Sequence, residues 1–255
     1  MKIIYKTASE IQLLREWWVY HNELLQLLYE KAIAGVRLSQ LEKIASDYLI
    51  SHKIKSAFKW FHWFPAQTCL SVNNCLVHGI PDEYTLKNGD LLKIDIGIIY
   101  KGMVTDAAVS KIIGGHQTNK AAAELMRTTK AALDNSLEMI KPWVSLMEYG
   151  RKVESLVVEK WCSIVRSLTW HGVGKWVHED PWVANYADHR LRHITFKPGM
   201  VLALEPITAE HSTDYIVHTN KRNLITKHGD LWCQREYTVV VTEKWVEILA
   251  GLTSL

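Results

Sequence analysis

Apolar positions recur at helical spacing at both ends of the first third of the chain. Thr7-x-x-Glu10 has the form of a capping box, and Ile11, Leu14, Trp18, Leu25 and Leu28 follow on one stripe, which predicts an amphipathic helix over 8–33 ending near Gly35. A second helix is predicted over roughly 38–52, and the aromatic run Phe58 to Phe64 reads as strand and turn closed by Pro65. Val77-His78-Gly79-Ile80-Pro81-Asp82 reads as strand giving way to loop, with His78 at the change. Residues 118–140 predict a long helix stopped by Pro142, and Ser145-x-x-Glu148 caps another that runs to about 160. The rest is β in character. SIVRSLTW reads as a strand leading into a glycine-containing loop flanked by His171 and His178. KPGMVLALEPI launches a strand from a Pro-Gly turn, and CQREYTVVVTEKWVEIL gives a strand with Glu236 at its start and a closing strand after a turn. Helices and strand runs in this order give an α+β chain, and no linker or low-complexity segment divides residues 1–255, so one catalytic domain is expected.

The stretch DIGIIYKGMVTD, Asp95 to Asp106, is the richest in chemistry. Two β-rich runs flank Tyr100-Lys101-Gly102, the signature of a hairpin. A two-residue turn at Tyr100 and Lys101 sets Asp95 directly across from Asp106, a four-residue loop makes them diagonal neighbours, and only an odd loop separates them by face. The even cases are commoner. Carboxylates roughly 5 Å apart on a half-buried sheet repel unless a cation lies between them. Further candidates stand at strand ends: His171, Glu205 among apolar neighbours, and Glu236. Two aspartates, two glutamates and an imidazole suit Mn, Fe or Co rather than a thiolate site, with zinc also compatible. Four carboxylates carry enough charge for two divalent ions, an arrangement used to activate water for hydrolysis. His78 and His178 remain to bond a polarised carbonyl or a leaving nitrogen.

Composition narrows the class. The 255 residues are 48% hydrophobic and 22% charged, enough for a sizeable core, and no apolar run approaches a membrane span. The N-terminus lacks the apolar region and cleavage site of a signal peptide, so the cytoplasm is the expected location. The four cysteines, Cys69, Cys75, Cys162 and Cys233, form no CxxC pair and fit a reducing compartment. A net charge of +3 spread along the chain does not suggest nucleic acid as partner, nor is a membrane expected.

Taken together, HGIPD, DIGIIYKGMVTDAA, HGVG, HEDP, PGMVLALEP and REYTVVVTE resemble the type I methionine aminopeptidases of the pita-bread hydrolase family nearly from end to end. The resemblance implies two pseudo-symmetric halves around a curved, mostly antiparallel sheet, with helices on the outer face and metals in the central cleft. It implies that Asp95, Asp106, His171, Glu205 and Glu236 hold two divalent ions, that Glu205 is also the base for the attacking water, and that His78 and His178 contact substrate and stabilise the tetrahedral intermediate. Cys69 and Phe61 match positions that line the methionine pocket. The implied activity is removal of the N-terminal methionine from nascent polypeptides when the second residue is small, near the ribosome, by a monomer. A prolidase-like enzyme, or a pita-bread binding protein with impaired catalysis, are the alternatives. The chain has no room between His171 and Glu205 for the type II insertion, and no N-terminal zinc-finger extension.

Three features depart from the family pattern. Tyr237 follows Glu236 where histidine is usual, which questions a hydrogen bond behind the ligands, and Arg222-Asn223 replaces an aromatic residue, which questions the pocket lid. The third is tryptophan: 11 Trp against 13 Gly, when glycine ordinarily makes up about 7% of residues. Trp18, Trp60, Trp63, Trp143, Trp161, Trp170, Trp176 and Trp245 all stand where the family usually has glycine. The expectation is that a UGA codon decoded as glycine in the source lineage has been translated here as tryptophan.

Overall fold

The computed structural model describes residues 2–255. The capping box forms as the sequence predicts, with the Thr7 side chain and amide exchanging bonds with Glu10, and α1 spans Ala8–Lys31. Leu14, Leu24, Leu25 and Leu28 are its buried stripe. Trp18, expected on that stripe, instead stands largely in solvent, while Trp17 beside it stacks on Tyr100 with ring centroids 3.4 Å apart. The second helix, α2, is Leu38–Ser51.

Strands β1 (Lys55–Ser56) and β2 (Cys69–Val72) follow. The aromatic run between them is not strand. It folds into tight turns in which Trp60, His62 and Trp63 take positive φ. The central hairpin pairs β3 (Leu91–Tyr100) with β4 (Met103–Ile112) around a two-residue turn, Lys101-Gly102, both at positive φ (46° and 80°) as a type I′ turn demands. The turn lies one residue later than a Tyr100-Lys101 turn, because Tyr100 stays in the strand against Trp17. The order β1-β3-β2, with β4 on β3, makes the first sheet, and α1 and α2 cover it through a core that includes Leu25, Leu41, Ile94 and Val109.

The second half repeats the plan. Helices α3 (Lys120–Leu137) and α4 (Leu146–Val158) pack on a five-stranded antiparallel sheet through Leu133, Tyr149, Phe196 and Leu202. The segment read as one strand over 163–170 divides in two. β5 (Ser163–Ile164) belongs to a three-stranded sheet, and β6 (Trp170–Gly172) pairs with β7 (Glu179–Val183). After β8 (Val201–Leu204) come β9 (Ile207–Ala209), the small hairpin β10 (Tyr215–Val217) and β11 (Leu224–Thr226), then β12 (Trp232–Gln234), β13 (Tyr237–Val241) and β14 (Val246–Ala250). The large sheet runs β14-β13-β8-β6-β7, and β12-β9-β5 lies beside it.

The halves meet where β4 runs alongside residues 234–238. The Glu236 amide donates to the Ala108 carbonyl at 3.0 Å, and the Ser110 hydroxyl donates to the Gln234 carbonyl at 2.7 Å. These bonds bring the inner faces of both sheets to one cleft. Among the described residues no helix is long and apolar enough to cross a membrane.

Candidate metal centre

Each candidate side chain reaches the cleft for a local reason. Asp95 lies opposite Cys69 on one side and Ala108 on the other, whereas Asp106 lies opposite Gly97. The two aspartates are therefore diagonal neighbours on one face of the hairpin, not directly opposed. Gly97 is needed for a close approach: a Cβ there would come within 2.6 Å of the Phe58 ring, which lines the cleft. His171 sits on β6 opposite Ala203 of β8, and Glu205 follows the last residue of β8 as that strand gives way to Pro206. Glu236 falls between β12 and β13, where the edge of β4 holds its amide.

Five residues from four separated stretches thus converge. Asp106, His171 and Glu236 offer ligand atoms that all lie within 4.8 Å of one another, and all three are buried. His171 Nε2 is 3.8 Å from Glu205 Oε1, and Asp95 adjoins from β3. Burial lifts all four carboxyls above their ordinary pKa. Asp95 adds to the shift of Glu205, Asp95 and Glu205 to that of Asp106, and all three other acids to that of Glu236. Burial, and then His178, drives the His171 imidazole down to about 3, so it is neutral and has a lone pair to give. Its Nδ1 faces the Gly172 carbonyl at 3.1 Å, which fixes Nδ1 as the protonated nitrogen and turns Nε2 toward the acids.

The donor set fits divalent cations. Oδ1 of Asp95 and Oδ1 of Asp106 are buried without a hydrogen-bond partner, a costly state for carboxylates facing other carboxylates. Four carboxyls and one neutral imidazole make an oxygen-rich donor set with a single nitrogen, suited to divalent metal.

A cleft of about 390 Å³ opens over these residues, lined also by Phe58, Phe61, Cys69, His78, His178 and Trp182. The His178 ring lies 4.3 Å from that of His171 and edge-on to Phe61 at 5.2 Å, and burial lowers its pKa to about 4. His78 is not at a strand end. It belongs to the loop after β2, at φ 58°, and lines the cleft. Cys69 is buried beside Asp95, and burial pushes its thiol up, with further contributions from Asp95 and Asp106.

Sequence reasoning missed the residues that hold these side chains in place. Gln234 Nε2 donates to Glu205 Oε2 at 3.0 Å, and Lys6 makes a buried ion pair with Glu179, whose carboxylate also accepts from the Lys175 and Trp176 amides and so anchors the loop carrying His178. Gln234 could have been suspected from its position two residues before Glu236, on the same strand face; nothing local marks Lys6. Tyr237 alternates away from the cleft into the second core and donates to Asp134 at 3.0 Å, so it supplies no hydrogen bond to the metal-facing side. Arg222 lines the cleft, and Asn223 accepts from the Ile80 amide at 3.2 Å.

The sequence matches the profile of Metallopeptidase family M24 over residues 12–243. The chain belongs to this family. It is 32% identical over 251 residues to the methionine aminopeptidase of Escherichia coli (strain K12), covering 98% of this chain and 94% of that one. It is 33% identical over 247 residues to the methionine aminopeptidase of Clostridium perfringens, covering 97% and 98%. In structure it resembles methionine aminopeptidase from Thermotoga maritima with a TM-score of 0.93, at 30% identity over 98% of this chain and all of the other. The prolidase from Pyrococcus furiosus shares the fold, with a TM-score of 0.77 at 20% identity, but this chain covers only 66% of it. Membership of this metallopeptidase family accords with an acid-rich centre built for divalent metal.

Proposed function

We propose that the protein is a metal-dependent methionyl aminopeptidase that removes the N-terminal methionine of polypeptides whose second residue is small. The observation that carries this reading is the convergence of Asp95, Asp106, His171, Glu205 and Glu236 in one buried cluster with unpartnered carboxylate oxygens. It is supported by full-length similarity to methionine aminopeptidases.

These five residues would hold two divalent ions, of Co, Mn or Fe, with zinc also compatible. Such ions supply a Lewis acid for the scissile carbonyl and ease deprotonation of water. Glu205 takes the proton of the attacking water and returns it to the leaving nitrogen; Gln234 keeps one of its oxygens oriented while the other faces His171. His178, neutral at physiological pH, donates to the carbonyl oxygen as negative charge grows there, and His78, which also lines the cleft, bonds the substrate backbone. Cys69, Phe61 and Phe58 form a soft apolar slot suited to an unbranched thioether.

Residues 1–255 act as one catalytic unit, a cytoplasmic monomer working on nascent chains near the ribosome. The test is turnover of Met-Ala and Met-Leu peptides by the metal-replete protein: Met-Ala is cleaved far faster, and equal rates overturn the reading.

A further inference from the structure

Four tryptophans stand in the left-handed region of the backbone that glycine adopts most readily, at the largest φ among the non-glycine residues there: Trp60 (φ 71°), Trp63 (φ 64°), Trp143 (φ 76°) and Trp161 (φ 60°). For a bulky L-residue this region is an outlier, since Cβ crowds the neighbouring carbonyl. No packing offsets the strain, because the four are 67%, 80%, 70% and 91% exposed, in a residue type that ordinarily buries most of its surface.

The hydrogen bonds identify each turn. Lys141-Pro142-Trp143-Val144 closes from the Val144 amide to the Lys141 carbonyl at 3.2 Å, a type II turn with proline second and a left-handed residue third. The same turn recurs at Lys197-Pro198-Gly199-Met200, closed at 3.1 Å, where the third residue is Gly199 at φ 86°. Trp60, at φ 71° and ψ −5°, fills the third position of the turn closed from the Phe61 amide to the Phe58 carbonyl at 2.9 Å. His62 and Trp63 are both left-handed in the turn closed from the Phe64 amide to the Phe61 carbonyl. After α4, the Cys162 amide bonds the Val157 carbonyl and the Trp161 amide the Val158 carbonyl, which is a Schellman motif with Trp161 at its left-handed position.

We propose that Trp60, Trp63, Trp143 and Trp161 are glycine in the protein that its source organism makes. A single change of reading explains all four: UGA encodes tryptophan in some genetic codes and glycine in others. The remaining tryptophans written by that codon change with them, and the resemblance selects Trp18, Trp170, Trp176 and Trp245. Trp17, Trp182 and Trp232 stay tryptophan. Trp17 stacks on Tyr20 and Tyr100, Trp232 is wholly buried against Tyr215, and Trp182 faces His171 and His178 in the cleft. Trp170 is the change closest to the chemistry, next to His171; it is buried against Tyr149 much as Trp232 is against Tyr215, and the resemblance alone assigns it.

The test is peptide mass spectrometry of the protein isolated from its source cells. Peptides covering positions 60, 63, 143 and 161 carry glycine and those covering 17, 182 and 232 carry tryptophan; tryptophan at the first four overturns the proposal. A second measurement uses the chain made recombinantly. Trp60→Gly, Trp63→Gly, Trp143→Gly and Trp161→Gly together raise the melting temperature, whereas Trp232→Gly lowers it. A fall for the fourfold variant refutes the conformational argument. Neither readout depends on aminopeptidase activity, so failure here is distinguishable from failure of the functional reading.

Discussion

The Thr238 hydroxyl clasps the backbone of Asp106 from both sides, accepting from its amide at 2.8 Å and donating to its carbonyl at 2.6 Å. Both residues are buried, and the bonds cross from β13 of one half to β4 of the other. Thr238→Val keeps the shape and leaves both backbone groups without a partner, which costs about 1–3 kcal/mol of stability. Because Asp106 then loses its fixed position, metal affinity falls by roughly 10-fold or more. Urea unfolding and metal titration of the purified variant measure the two effects.

Glu205→Gln preserves volume and keeps a group for Gln234 to face, but removes the charge and the proton acceptor. The expected result is a loss of kcat by at least ~10²-fold with an unchanged circular dichroism spectrum. Activity within a few-fold of the parent would assign the base elsewhere.

His178→Ala separates transition-state stabilisation from metal binding. His178 touches the ring of His171 but lies outside the carboxylate cluster. Its loss lowers kcat by about 10²–10³-fold, as removal of one oxyanion donor does, and leaves metal content intact. Elemental analysis decides, since loss of metal in this variant would make His178 a ligand.

The buried acids give metal-free protein a distinctive response to pH. Asp95, Asp106, Glu205 and Glu236 titrate above their ordinary range when folded, all chiefly through burial and the last three also through neighbouring acids, whereas in the unfolded chain they titrate near pH ~4. The folded state therefore holds more protons, and the contribution of these groups to stability is greatest below about pH 4 and declines as pH rises toward and past neutrality. Divalent metal replaces those protons. Its addition should raise the melting temperature more at pH 8 than at pH 5, and stripping it with a chelator should lower the melting temperature most at the higher pH. A metal-induced shift that is equal at both pH values would contradict the assignment of these acids as ligands.

Much of the architecture is written in local pattern. The capping box at Thr7 and Glu10, the cap at Ser145 and the type I′ preference of Lys101-Gly102 act over a few residues, so helices and hairpin follow from the chain near them. Alternation along β3 and β4 is equally local, so any even turn length leaves Asp95 and Asp106 on one face. Their diagonal offset follows from the place of the turn: with Lys101-Gly102 at the tip, Tyr100 pairs with Met103 and Asp95 with Ala108.

The same holds for strands that misled. Ser163–Ile164 and Trp170–Gly172 read as one strand because both are apolar, but their pairing partners lie in different sheets. The aromatic run at 58–64 has strand composition, yet Trp60, His62 and Trp63 are left-handed there, and periodicity carries no information on the sign of φ. The sequence by itself indicated the four helices, the central hairpin with its two aspartates favoured on one face, and the acids near strand ends. Only the tertiary structure brought Asp95 and Asp106 to His171, Glu205 and Glu236, because that meeting depends on β4 pairing with residues 234–238, a contact between segments far apart in the chain that no local preference encodes.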